Sequence, residues 1–139
     1  MVQPNVISAI ECQLALLQGD ATEASRLLEQ RLADLRRFGM KAYIPQGLYL
    51  LAQARQQAGR ESDALAYLRE ARELATAIGS RWMEWRILTA LASLSPQAEA
   101  KELCDRAKAI VEGIERNISD PALRQSFHNR PDIHALAHV

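Results

Sequence analysis

Apolar side chains recur at intervals of three and four through 6–18, 21–38, 41–58, 61–78 and 81–94, and the gaps between these stretches are only two to four residues long. That spacing puts the apolar positions on one face of a helix and predicts five helices in succession. Glycines at 19, 39, 59 and 79 stand 20 residues apart at the ends of the first four stretches, where glycine closes a helix by adopting a left-handed backbone. A sixth helix is predicted over 96–117, with Ser95 offering an oxygen to its free amides and Pro96 in the first helical position. Asp20 and Glu23 form a capping-box pattern ahead of the second helix. Beyond 117, Ser119-Asp120-Pro121 restarts a short helix that Asn129-Arg130-Pro131 interrupts, leaving 129–139 as a C-terminal tail, a last short helix or a frayed end. No stretch alternates apolar with polar long enough to form a strand, so the chain is all-α, and its short loops fold successive helices back as antiparallel hairpins.

The helices repeat in pairs. A shift of 40 residues lays Gly19 on Gly59, Ala24 on Ala64, Leu28 on Leu68, Arg31 on Ala71 and Gly39 on Gly79. Small residues at such a period let the backbones of neighbouring helices approach, while Leu fills the spaces beside them. In the second pair these are Leu48, Leu51 and Ala52, then Gly59, then Ala64, Leu68 and Ala71. In the third they are Leu88, Leu91 and Ala92, then Ala100, Cys104 and Ala107 after a shortened connection at Ser95-Pro96. The first pair keeps Cys12, Gly19, Ala24 and Leu28 but has Ser8 and Glu11 where bulky residues stand in the others.

This arrangement resembles the tetratricopeptide repeat over residues 6–127. The departures are Arg55 where that family often has Tyr, Ile78-Gly79 where it often has Pro, and a period of 40 in place of 34. The longer period is similar to the long-helix variety in bacterial regulators of the maltose transcriptional activator type and in arrays joined to large signalling ATPases and cyclases. The resemblance implies a right-handed superhelical stack of about three antiparallel helix hairpins (6–38, 41–78 and 81–117) with a short C-terminal capping helix (120–128). Together these would make one repeat domain over 1–128, followed by the tail. It also implies that the first helix of each hairpin lines a concave groove. Gln13, then Gln46, Tyr49, Gln53 and Gln56, then Arg86, Thr89 and Ser93 are the side chains that would project into it.

Composition narrows the function. Lys plus Arg and Asp plus Glu both number 17, so no net field recruits a polyanion. Arg26, Arg31, Arg36, Arg37 and Lys41 are diluted by acids such as Glu29 and Asp34, which argues against direct nucleic-acid binding. No apolar run reaches the roughly 20 residues of a membrane span, and no basic-then-apolar leader opens the chain; a cytoplasmic location is expected. Cys12 and Cys104 sit singly in helical apolar patterns and read as small core residues. His128, His134 and His138 crowd the tail without the carboxylate or thiolate company of a metal site, and read as solvated. Trp85 shares a helix face with Leu88 and Ala92 and reads as core, whereas Trp82 could stand at an exposed edge. No phosphate-binding loop or nucleophile turn occurs, so no catalytic residue, cofactor or metal is expected. The expected function is protein–protein interaction, within a larger bacterial signalling or transcriptional regulatory protein. The alternatives are a ligand-sensing domain of a regulator, and self-association through Ile7, Ile10 and Leu14 on the first helix.

Overall fold

The structure is a computed structural model that describes residues 8–137. Among these there is no strand, and eight helices run in chain order, each packed on sequence neighbours. The chain divides into two compact units, Met1–Ile78 and Gly79–Val139.

The first unit holds α1 (Ala9–Leu17), α2 (Ala21–Arg37), a 3₁₀ turn (Lys41–Tyr43), α3 (Ile44–Gln57) and α4 (Glu61–Ile78). Ser8 caps α1, its hydroxyl oxygen accepting from the Glu11 amide at 3.2 Å. Asp20 caps α2 by accepting from the Glu23 amide at 3.0 Å. The reciprocal half of the expected capping box is absent, because the Glu23 carboxylate is held by the forked guanidinium of Arg26. That hydrogen bond keeps the Glu23 carboxyl below its usual range.

Gly19, Gly39, Gly59 and Gly79 all have positive φ, from 67° to 76°. At Gly39 the consequence is plain: its own amide returns to Arg36 O, and the Met40 amide reaches Leu35 O at 2.8 Å, so two orphan carbonyls of α2 are satisfied and the chain reverses. The 20-residue glycine spacing is therefore a spacing of helix ends. The third helix begins later than its apolar pattern: 41–43 close as a 3₁₀ turn, and α3 starts at Ile44 with Pro45, which has no amide to leave unpaired, in its first turn.

α2 packs on α1 and α3, and α3 also on α1 and α4. Leu28, Leu35, Leu48, Leu51 and Leu68 are fully buried, with Ala24, Ala52, Ala64, Ala71 and Ala75 between them. At Gly47 of α3 a Cβ would lie 2.8 Å from Leu32 Cδ2, 3.3 Å from its Cγ and 3.9 Å from Leu35 Cδ1, all side-chain atoms of α2. Only hydrogen fits there. Ion pairs Arg55–Glu29 and Arg36–Glu70, the latter at 2.9 Å, tie α3 and α4 to α2.

The second unit holds α5 (Arg81–Ser93), α6 (Gln97–Arg116), α7 (Pro121–His128) and α8 (Pro131–Ala137). Ser95 does not cap α6 as the sequence suggested. Pro96 occupies the cap position, and the Ser95 hydroxyl turns back to donate to Leu91 O at 2.6 Å, closing α5 instead. The 120–128 cap is α7, started by Asp120, which accepts from the Ala122 and Leu123 amides. The stretch read as a tail from 129 contains α8. Pro131 restarts the chain as a helix, and Ile133 and Leu136, three apart on one face, are buried with Trp85, Leu88, Ala107 and Val111. No helix among the described residues is long and apolar enough to cross a membrane.

Candidate functional site

In the first unit α1 and α3 touch directly, and their last turns lie side by side. Gln57 Nε2 donates to Leu16 O at 3.2 Å, so a side chain of α3 adds a second donor to a carbonyl at the end of α1 that already accepts from the Gly19 amide at 3.1 Å. Beside this tie is an open cleft of about 400 Å³ lined by Leu16, Leu17, Gln53, Gln56 and Gln57. Leu16 is buried and forms the floor, whereas Leu17 is 84% exposed and stands at the rim. None of these lining residues is charged. Arg55, next in the chain, is turned into its ion pair with Glu29. Three primary amides and two leucines thus line one cleft: Gln53 and Gln56 offer donors and acceptors, Gln57 keeps its oxygen and one N–H beyond its bond to Leu16 O, and Leu17 offers apolar surface.

The sequence placed Gln46, Tyr49, Gln53 and Gln56 on one stripe of α3, and all four keep solvent access: the first three are half-buried and Gln56 is exposed. The cleft gathers Gln53 and Gln56 but not Gln46, Tyr49 or the exposed Gln13 of α1. Leu16, Leu17 and Gln57 were not expected there. Leu17 breaks the apolar face of α1, one position past the buried pair Ala15 and Leu16, and that irregularity is the signal a closer reading could use.

In the second unit the expected groove residues are differently occupied. Thr89 Oγ1 donates to Trp85 O at 2.8 Å and Ser93 Oγ to Ala90 O at 2.7 Å. Both hydroxyl protons are therefore committed to the carbonyls of α5 itself, the usual alternative for such residues within a helix. Arg86 lies half-buried with its guanidinium 5.9 Å from the Trp82 ring. Trp82 is not a free edge. It meets Trp85 edge-on at 5.5 Å and Phe127 at 6.2 Å, and the Arg130 guanidinium stacks over it at 4.8 Å, so α5, α7 and the α7–α8 turn converge on one ring.

The cysteines differ. Cys12 is buried, and that burial pushes its thiol up against the opposing pull of Arg31. Cys104, expected in the core, is half-buried and lines an open groove of α6 with Gln97, Ala98, Ala100, Lys101, Asp105 and Lys108. The core of the second unit gathers instead around Ala107 and Val111, where α8 arrives.

Other expected surface groups have specific partners. Arg26 pairs with Glu23, Arg36 with Glu70, and Arg31 is buried. His128 Nδ1 lies 2.9 Å from Glu115 Oε1, fastening α7 to α6, while His138 lies outside the described residues. No group of three or more His, Cys, Asp or Glu side chains among the described residues could hold a metal ion. Comparisons with protein families, curated proteins and solved structures found no match for this chain.

Proposed function

We propose that this chain is a protein-association module built from tetratricopeptide-like hairpins, a piece of a larger cytoplasmic bacterial signalling or transcriptional regulatory protein. The α1–α3 cleft seats a short, uncharged peptide segment of its partner. The observation that carries this reading is the convergence of Gln53, Gln56 and Gln57 with Leu16 and Leu17 in one open cleft. A peptide backbone presents alternating donors and acceptors, which primary amides match in either sense, and an apolar side chain of the peptide gains by covering Leu17. Absence of charge among the lining residues disfavours phosphorylated or strongly acidic segments, which need guanidinium or ammonium partners. An enclosed apolar pocket would favour ligand sensing; the openness and glutamine lining of this cleft favour a peptide.

The test is selection of random peptides displayed on phage against the whole chain, followed by affinity measurement on the peptides recovered. The expected result is uncharged sequences with a large apolar residue, whose affinity falls about tenfold, near 1.4 kcal/mol, in the Gln53→Ala/Gln56→Ala double variant. Peptides that bind the double variant as well as the parent would refute the assignment.

A further inference from the structure

Nothing in the structure shows what covers the bare face of α1, where Ile10 and Leu14 are exposed and Ile7 lies outside the described residues. The second unit carries a more specific surface. Where α7 meets the end of α6 there is an open cleft of about 380 Å³ lined by Glu112, Glu115, Arg116 and Arg124. The Arg124 guanidinium is held in place: Nε and Nη2 both donate to Ile118 O, at 3.1 and 2.7 Å. A neutral carbonyl fixes this cation without neutralising it, and Nη1 keeps both of its protons. Arg116 lies back along α6, its Nη2 3.9 Å from where a Cβ of Gly113 would stand, and Arg81 of α5 brings its Nη1 to 3.3 Å from the same point. The missing side chain at Gly113 is what lets two guanidiniums share that place. Among the described residues neither Arg81 nor Arg116 forms an ion pair, in contrast to Arg26, Arg36 and Arg130, which do. Of the two acids in the cleft, Glu115 is turned to His128 Nδ1 at 2.9 Å, which leaves Glu112 alone to oppose the arginines.

We propose that this cleft binds a phosphoryl group, with Arg116 and Arg124 as its direct ligands and Arg81 adding positive charge at Gly113. Like charges gathered without counter-ions repel one another, and an anion that joins them removes that cost. The arrangement distinguishes between anions. A carboxylate has two oxygens and one charge, which a single guanidinium fork fills. A phosphoryl group has three free oxygens and a charge near minus two, so it can take a fork from each wall of the cleft, one on α6 and one on α7. Glu112 repels either anion, and only the one that engages both forks gains enough to offset it. The site lies wholly in the second unit and is independent of the α1–α3 cleft.

The test is ¹⁵N NMR of the arginine Nε–Hε groups of the whole chain, titrated at constant ionic strength with inorganic phosphate, with N-acetyl-phosphoserine amide and with acetate, from about 0.1 to 20 mM. The expected result is saturable shifts of Arg116 and Arg124 with both phosphates, acetate binding weaker by about tenfold, and no shift of the ion-paired Arg26 and Arg36. Arg116→Gln should weaken phosphate binding about tenfold, and Glu112→Gln should tighten it. Both positions are exposed, so the far-UV circular dichroism of each variant should match the parent. Tighter binding of the phosphoserine compound supports a modified side chain of a partner as the source, and tighter binding of inorganic phosphate supports the free ion. Shifts that climb without saturating, shifts shared alike by all arginines, acetate bound as tightly as phosphate, or an Arg116→Gln variant that binds like the parent would each overturn the proposal. The Gln53→Ala/Gln56→Ala variant should bind phosphate as the parent does, which separates this test from that of the peptide cleft.

Discussion

Replacing Gly47 by alanine sets two effects of known sign against each other. Alanine in a helix interior is favoured over glycine by about 1 kcal/mol, so with free space the change would stabilise α3. Space is absent. The new Cβ would stand 2.8 Å from Leu32 Cδ2 and 3.3 Å from its Cγ, two atoms of one isobutyl group, so rotating the terminal methyls cannot clear both. Leu32 is 3% exposed and has nowhere to swing. Overpacking of this kind costs roughly 1–3 kcal/mol, so the net expectation is a loss of about 0–2 kcal/mol. Gly113 on α6 is the control: its Cβ would meet only Arg81 Nη1 at 3.3 Å and Arg116 Nη2 at 3.9 Å, the far ends of flexible side chains. Gly113→Ala should therefore stabilise by about 0.5–1 kcal/mol. Urea unfolding followed by far-UV circular dichroism measures both changes, and their difference should be about 0.5–3 kcal/mol. In a Leu32→Ala background the clash disappears, and Gly47→Ala should turn neutral or stabilising, giving a coupling energy that a distant pair would lack. If Gly47→Ala stabilises the parent as much as Gly113→Ala does, the close approach of α2 and α3 is wrong.

Four further outcomes follow from the same structure. Ala64→Leu, at a fully buried position of α4, should lower stability by about 1–3 kcal/mol in thermal or urea unfolding. Asp20→Ala removes the cap of α2 and should cost about 1 kcal/mol, whereas Asp20→Ser should recover most of it. Ile133→Ala should cost about 2–5 kcal/mol and shift tryptophan emission to the red, since Ile133 belongs to the cluster that covers Trp85. Of the two thiols, Cys104 should react first with a disulfide reagent under native conditions; Cys12, buried and with its thiol pushed up, should react only on unfolding, and equal rates would contradict the burial assigned to it.

Much of the fold was legible because it depends on local chemistry. Glycine is the residue for which a left-handed helix end is cheap, so the glycines at 19, 39, 59 and 79 marked the ends of α1 to α4. Asp20 and Asp120 announced their helices for a similar reason: a carboxylate two or three residues ahead of free amides has few better partners. Trp85 and Leu88 shared a face and were found together in the core.

What escaped were choices between competing partners. The Ser95 hydroxyl could serve the helix ahead or the one behind, and the carbonyl of Leu91 won. Thr89 and Ser93 could reach outward, but a carbonyl of their own helix lay closer. Cys104 fits the apolar pattern of α6, yet whether a helix face is covered depends on where α8 settles, which periodicity does not encode. The cleft was half legible for the same reason. The stripe of Gln53 and Gln56 is a property of one helix, while Leu16, Leu17 and Gln57 join it only because α1 and α3 end side by side.

The most direct test of the proposed function follows the side-chain amide resonances of Gln53, Gln56 and Gln57 by ¹⁵N NMR as a selected uncharged peptide is titrated into the whole chain. Saturable shifts of these three amides, accompanied by the methyls of Leu16 and Leu17 and with Gln97 of α6 unmoved, are the predicted result. Binding that leaves the three glutamines unshifted and perturbs α6 in their place would contradict it.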